Sequence, residues 1–271
     1  MSGDPLTASR HDELLDKLRR LGVHGSVIHT HRAMATFPLH PSSLVYVLLI
    51  PLVLVAVSLL AFPLIVKLWG DFFLLAQNLM NLPGDVHVRS LQVLPFYYLD
   101  IPSFTMEVAW PATRVMITTG AITLVLFIGT FLLPSRLLPV SYLIRVICFI
   151  QLIALAWFAF ASGPFPYQLS GYTEGLLRSG IVIIILVPLL YAVSLYLFKM
   201  SLARKLLISG MTMVHLMIFI PLQAVVHASV VQACSFLVLP VMFFLFGILL
   251  DVLIIIAFYS WGMSWVDITR Q

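Results

Sequence analysis

The segment from Phe236 to Tyr259 is the feature that most limits how this chain can fold. It runs for 24 residues with a single formal charge, Asp251. The hydrocarbon core of a bilayer is about 30 Å thick and is crossed by roughly 20 apolar residues in a helix. A carboxylate held inside that core costs a few kcal/mol unless it faces protein or water. The segment therefore predicts a transmembrane helix whose one acidic residue requires a partner.

The composition places the rest of the chain in the membrane-protein class as well. Hydrophobic residues make up 61% and charged residues 10% of the 271 residues, which is more apolar than a soluble core requires. Short polar breaks divide the chain into six apolar segments, and we expect each to span the membrane. Their predicted bounds are 44–69, 115–133, 139–161, 181–198, 206–226 and 236–259. The predicted fold class is an all-α integral membrane protein with a six-helix transmembrane bundle.

Residues 1–43 are polar and basic, and they precede the predicted membrane domain of residues 44–271. Leucines recur there on one helical face between charged residues, at Leu14, Leu15, Leu18 and Leu21. This pattern predicts a short amphipathic helix, and its cationic flanks suit the headgroup interface.

Histidines are frequent in the same region, but their spacing does not form a metal motif. Four fall within seventeen residues: His24, His29, His31 and His40. They lack nearby cysteines and the spacing of a tetrahedral ligand set. We therefore expect no metal and no other cofactor.

Residues 70–113 form the predicted segment outside the membrane. After the break at Pro83 and Gly84, apolar and polar residues alternate, first from Val86 to Val93 and again from Phe104 to Val108. Alternation of period two is typical of strands with one buried face. The pattern predicts a small antiparallel strand pair, which caps the bundle on its extracytoplasmic side.

Basic residues in the short connections set the predicted orientation. They concentrate in the amino-terminal region and in the connections after spans two and four, where Lys199, Arg204 and Lys205 form a cluster. Because cytoplasmic loops are enriched in lysine and arginine, we expect both termini in the cytoplasm. The expected location is a bacterial inner membrane, with the lipid bilayer and other membrane subunits as partners. The net charge of +4 reflects these loops, and no nucleic-acid partner is expected.

Arg145 and Asp251 are the strongest candidates for a functional pair. Arg145 lies about six residues inside span three, and Asp251 lies about eight residues before the end of span six, measured from the same side. At 1.5 Å per residue these depths nearly coincide. The matched depth predicts an intramembrane ion pair, which either fixes the helix register or serves a function. Further polar residues in the spans that could extend a path from this pair are His215, Gln151 and Gln223.

Two classes of function remain open at this point. The small extramembrane mass and the lack of a recognisable nucleophile and base favour a non-catalytic membrane subunit, a scaffold or accessory component of an envelope complex. The alternative is a small transporter or channel in which Asp251, Arg145 and His215 line a polar path. Whether Asp251 faces a packed helix or an open cavity discriminates between the two.

Overall fold

The computed structural model describes residues 41–108, 110–160, 168–196 and 200–265. The predicted amphipathic helix near the amino terminus lies outside these residues. The helices are α1 (Pro41–Met80), α2 (Thr113–Gly129), α3 (Leu138–Phe160), α4 (Leu169–Tyr196), α5 (Leu202–Cys234), α6 (Leu239–Phe246) and α7 (Ile248–Met263). Short 3-10 turns precede α3 and α6, and two strands, β1 (Asp85–Leu94) and β2 (Tyr97–Thr105), lie between α1 and α2.

Five segments of the described chain are helical, long and apolar enough to cross a membrane. They contain α1, α3, α4, α5 and the combined α6 and α7. The fold is therefore that of a mostly helical, multi-pass membrane protein with a small two-stranded sheet. The segment expected to be span two forms the 17-residue α2, which is about 26 Å long and slightly shorter than the hydrocarbon core. Its length alone does not establish a sixth span.

α1 is much longer than the predicted span of residues 44–69. Its 40 residues extend for about 60 Å, twice the thickness of the hydrocarbon core. The helix ends only at Asn81, which has a φ of 49°, and the Leu82 N–H donates to the Gln77 carbonyl at 3.1 Å. This is the six-to-one hydrogen bond of a Schellman motif. Residues 70–80, expected to lie in a separate segment, therefore belong to the first helix.

The predicted antiparallel strand pair is confirmed, but its second strand lies earlier in the chain than the predicted run from Phe104 to Val108. β1 and β2 are antiparallel, with Val86 opposite Phe104 and Leu91 opposite Leu99. Gly84 precedes β1 with a φ of +93°, and a Cβ atom there would collide with the Thr105 carbonyl oxygen. Only glycine fits this close approach of two backbones.

The sheet lies beside α1, and β2 follows the helix in the same direction. Tyr97 reaches Leu59 near one end of the contact, and Phe104 stacks on Phe73 at the other, with ring centroids 4.5 Å apart. The fourteen-residue step from Leu59 to Phe73 and the seven-residue step from Tyr97 to Phe104 each cover about 21–23 Å, so the helix and the strand match in length along this contact. On the other side of the sheet, Ser103 donates to the Glu174 carboxylate of α4 at 3.2 Å. The sheet thus joins α1 to α4, and we call this end of the bundle the sheet end.

α4 and α5 form the centre of the bundle. Half of the residues in the most apolar window of each are buried, against 22% in the other three candidate spans. α1 and α7 pack against this central pair. α2 packs principally against α3, and Thr123 is its one buried residue. The α2–α3 hairpin therefore lies at the side of the bundle.

Two prolines inside helices leave backbone carbonyls that aromatic side chains satisfy. Pro63 has no N–H to donate to the Leu59 carbonyl, and the Tyr97 hydroxyl donates to it instead. Pro221 likewise frees the Met217 carbonyl, which accepts from the Trp69 indole N–H at 2.9 Å. Proline in a membrane helix is tolerated where such neighbours satisfy the freed carbonyl. Burial also raises the pKa of Tyr97, which keeps the phenol protonated as a donor.

We expect Tyr97→Phe to destabilise the protein, because it leaves the Leu59 carbonyl without a donor. The loss should be about 1–3 kcal/mol, measured by thermal unfolding in mild detergent. Tyr98→Phe is the matched control, since the neighbouring side chain is 62% exposed and should tolerate the change. Equal effects of the two substitutions would contradict the role of the hydroxyl.

Candidate functional site

The last predicted span is not a continuous helix, because it breaks at Gly247. Gly247 has φ −96° and ψ −130° and separates α6 from α7. A Cβ atom there would collide with the Phe243 carbonyl oxygen, so the break requires glycine. A break inside an apolar span leaves carbonyls without helical donors, and these need partners from neighbouring helices.

Gln223 of α5 supplies the donor at the break. Its side-chain amide donates to the Phe246 carbonyl and to the Gly247 carbonyl at 3.3 Å. The Gly247 carbonyl also accepts from the Leu250 and Asp251 N–H groups, at 3.0 and 3.4 Å. The Gln223 side-chain oxygen, although buried, has no hydrogen-bond partner among the described residues. Gln223 thus supplies hydrogen bonds to the carbonyls at the break, while its own side-chain oxygen has no donor among the described residues.

Asp251 lies in the first turn of α7, one turn beyond Gly247. Its side chain is fully buried, and neither carboxylate oxygen has a hydrogen-bond partner in the part of the chain that the structure describes. α7 packs against α4 and α5, where the Tyr191 hydroxyl donates to the Ile255 carbonyl at 2.8 Å. That bond lies one helical turn further along the face that carries Asp251. The carboxylate is therefore enclosed by packed helices.

A second polar pair lies one turn from Gln223 on the same face of α5. The Tyr172 hydroxyl of α4 lies 2.7 Å from Nδ1 of His227, and His227 is buried. The predicted bounds of span five, 206–226, leave His227 outside the helix, so this pair was not predicted. The spacing in the sequence could have indicated it, because residues four apart lie on the same face of a helix. Since α5 extends past residue 226, His227 lies on the same face as Gln223.

The predicted ion pair between Arg145 and Asp251 is not formed. Arg145 donates from Nε to the Thr130 hydroxyl at 2.9 Å, and its guanidinium carbon lies 4.3 Å from the centre of the Phe131 ring. The break at Gly247 explains the error. Besides α2, α3 packs against α6 and the turn before it, whereas Asp251 belongs to α7, so equal depth does not bring the two charges together.

The other predicted polar residues are also separated. Gln151 of α3 is buried and donates to the Leu237 carbonyl at 3.1 Å, in the turn before α6. His215 is exposed and stacks on Phe219 with an interplanar angle of 13°. It therefore lies on the outside of the bundle, away from the buried Asp251. Of the predicted set, only Gln223 and Asp251 share a partner: both donate to the Gly247 carbonyl, Gln223 from its side-chain amide and Asp251 from its backbone N–H.

The chemistry of this site is set by buried hydrogen-bond acceptors that have no donor among the described residues. They are both oxygens of Asp251 and the side-chain oxygen of Gln223. Such a group can take up a proton or hold a cation, because either supplies the missing positive partner. Among the described residues, no three His, Cys, Asp or Glu side chains lie together as a metal site.

Comparisons with known protein families, curated proteins and solved structures find no match to this chain. Three features of the chain bear on its function: the acceptor-rich break at Gly247, the lateral α2–α3 hairpin, and the polar residues that each of these holds.

A double-mutant cycle tests whether Arg145 and Asp251 are independent. Asp251→Leu should stabilise the protein, because it removes a buried carboxylate without donors, and Arg145→Met should destabilise it by roughly 1–3 kcal/mol. The double variant should equal the sum within about 0.5 kcal/mol, as expected for sites that share no contact. Thermal unfolding in detergent measures all four proteins. A coupling of about 3–5 kcal/mol would instead indicate the ion pair.

Proposed function

We propose that the protein is a non-catalytic membrane subunit that binds another membrane protein through its α2–α3 hairpin. The carrying observation is the lateral position of this hairpin. α2 buries one residue against the rest of the protein, and a broad apolar surface remains uncovered on its other faces. The residues that form this surface are Ile117, Ile122, Leu124, Val125, Leu126 and Ile128.

Arg145 indicates which kind of partner this surface would bind. It is half-buried at the base of the hairpin, and the one ion pair formed among the described residues lies elsewhere, between Arg89 and Glu174. Thr130 and two aromatic rings surround the guanidinium, so its positive charge is solvated but not neutralised. A cation at this depth favours a carboxylate partner. The proposed partner is therefore a transmembrane helix that carries an acidic residue.

The burial of Asp251 among packed helices supports a non-catalytic subunit more than a transporter or channel. The carboxylate is completely buried and does not line the cavity of about 450 Å³ between α1, α4 and α5. It thus faces packed helices, which is the arrangement expected of a structural bundle. A path through the protein would require these helices to move apart.

We also propose an orientation of the protein in the bacterial inner membrane. The end opposite the sheet, which we call the far end, carries Arg136 in the turn before α3 and Arg204 and Lys205 in the first turn of α5. The positive-inside rule supports a cytoplasmic far end, an extracytoplasmic sheet and cytoplasmic termini. Labelling of cysteines introduced at Ser2 and at Ser90, an exposed residue of β1, should then occur from opposite sides.

Photocrosslinking in intact membranes tests the subunit proposal. A photoreactive residue at Val125 of α2 should give a discrete protein adduct, and Arg145→Gln should weaken it because the charge contact is lost. Val193 of α4 is the matched control, since both valines are exposed, at 69% and 72%. Adducts at both positions, or at neither, would contradict a specific interface on the hairpin.

A second candidate function is the transport of a proton or a small cation. It is favoured by one observation, that the unpartnered carboxylate of Asp251 lies beside a broken helix. Broken helices in transporters place free carbonyls and helix ends around a bound ion near the middle of the membrane. Here Gly247 provides the break, and its carbonyl accepts from the Gln223 side-chain amide and from the Asp251 N–H. The side-chain oxygens of these two residues, which have no donor among the described residues, are the proposed ligands.

Reconstitution into liposomes with an internal pH-sensitive dye tests this candidate. Under an imposed potassium diffusion potential, the wild-type protein should carry protons, and Asp251→Asn should reduce the flux to that of protein-free liposomes. Asp100→Asn, a change of an exposed strand residue, should leave the flux unchanged. Equal flux in wild-type and protein-free liposomes would exclude proton transport and leave the subunit proposal in place.

A further inference from the structure

A cavity of about 450 Å³ lies at the far end of the bundle, between α1, α4 and α5. Its size falls within the range of about 300–1,000 Å³ typical of small-molecule sites. Apolar side chains form most of its wall, among them Ile50, Leu54 and Leu195. Pro51 and Pro188 also line it from two of the helices.

The interior of this cavity is poorly suited to water. Its volume equals roughly 15 water molecules at about 30 Å³ each, and each buried water needs two to four polar partners. The hydroxyls of the wall are already engaged: Ser209 donates to the Lys205 carbonyl at 2.9 Å, and Tyr191 donates to the Ile255 carbonyl. The cavity is therefore shaped for an apolar occupant.

Lys205 adds one positive charge to this apolar wall. It lies in the first turn of α5 and is half-buried, and no carboxylate of the described residues lies within ion-pair distance of its ammonium group. The adjacent Arg204 differs, because it donates to the Trp265 carbonyl at 2.8 Å. The first turn of a helix is also its positive end, which further favours an anion here.

We infer that this cavity binds an anionic phospholipid, with an acyl chain against the apolar wall and the headgroup phosphate on Lys205. Both halves of the ligand are needed to match the wall, because a free anion leaves the apolar volume unfilled, and in a zwitterionic lipid the cation of the headgroup competes with Lys205 for the phosphate. Basic pockets between transmembrane helices are suited to anionic headgroups. The position also fits, since Lys205 lies about 5 Å from the start of an apolar helix, near the expected level of headgroups.

Lipid-dependent thermal stability of the purified full-length protein tests this inference. Phosphatidylglycerol should raise the Tm by about 5 °C more than phosphatidylcholine at saturation. Lys205→Gln should remove this difference, because the side chain keeps a similar length but loses its charge. Lys67→Gln is the matched control, since Lys67 is an exposed lysine of α1 outside the cavity, and it should retain the full difference.

A second variant and two further measurements test the acyl-chain site, the headgroup contact and the lipid selectivity separately. Ala192→Leu fills part of the cavity and should reduce the phosphatidylglycerol effect while Lys205 is retained. Glycerol phosphate alone should give no comparable rise in Tm. Native mass spectrometry of the wild-type protein should show preferential retention of phosphatidylglycerol from an equimolar mixture with phosphatidylcholine, which tests selectivity even if a variant folds poorly.

Three outcomes would overturn the inference. They are equal effects of the two lipids on the wild-type protein, an undiminished difference in Lys205→Gln, and a rise in Tm with glycerol phosphate that equals the lipid effect. An undiminished lipid effect in Ala192→Leu would overturn the placement of the acyl chain in the cavity.

Discussion

This structure depends on one constraint: backbone carbonyls in an apolar environment need hydrogen-bond donors. Every proline or break in a membrane helix leaves a carbonyl that water cannot reach. Tyr97, Trp69 and Gln223 each supply the missing donor from a different element. These bonds connect the sheet to α1, α1 to α5, and α5 to the broken last span. The polar side chains inside the bundle therefore determine which helices are neighbours.

The sequence predicted the class of fold and the strand pair because both follow from local patterns. Hydropathy located the apolar segments, and alternation with Gly84 located the sheet. Helix ends were predicted poorly, since α1 continues to Met80 and α4 begins at Leu169 rather than at 181. Hydropathy marks where a helix meets lipid, whereas its end is set by capping and by contacts such as those between Phe73 and Phe104.

The candidate site shows a different limit of sequence reasoning. Depth along a span can be counted in residues, but the direction a side chain faces depends on how the helices pack. Gly247 changes that direction in the middle of a span, and nothing in the hydrophobic pattern distinguishes it from a glycine in a continuous helix. Gln223 and Asp251 were identified as polar residues of interest, yet their meeting at Gly247 required the three-dimensional arrangement.

The bond between Trp69 and Met217 has a consequence for biosynthesis. The two residues are 148 positions apart, and α1 leaves the ribosome well before α5, because domains and their elements emerge in order from the amino terminus. Until α5 arrives, the indole N–H of Trp69 lacks its acceptor and the nascent helix cannot adopt its final packing. When α5 arrives, the Met217 carbonyl freed by Pro221 completes the site. The bond between α1 and α5 can therefore form only late in synthesis, after the carbonyl freed by Pro221 has emerged.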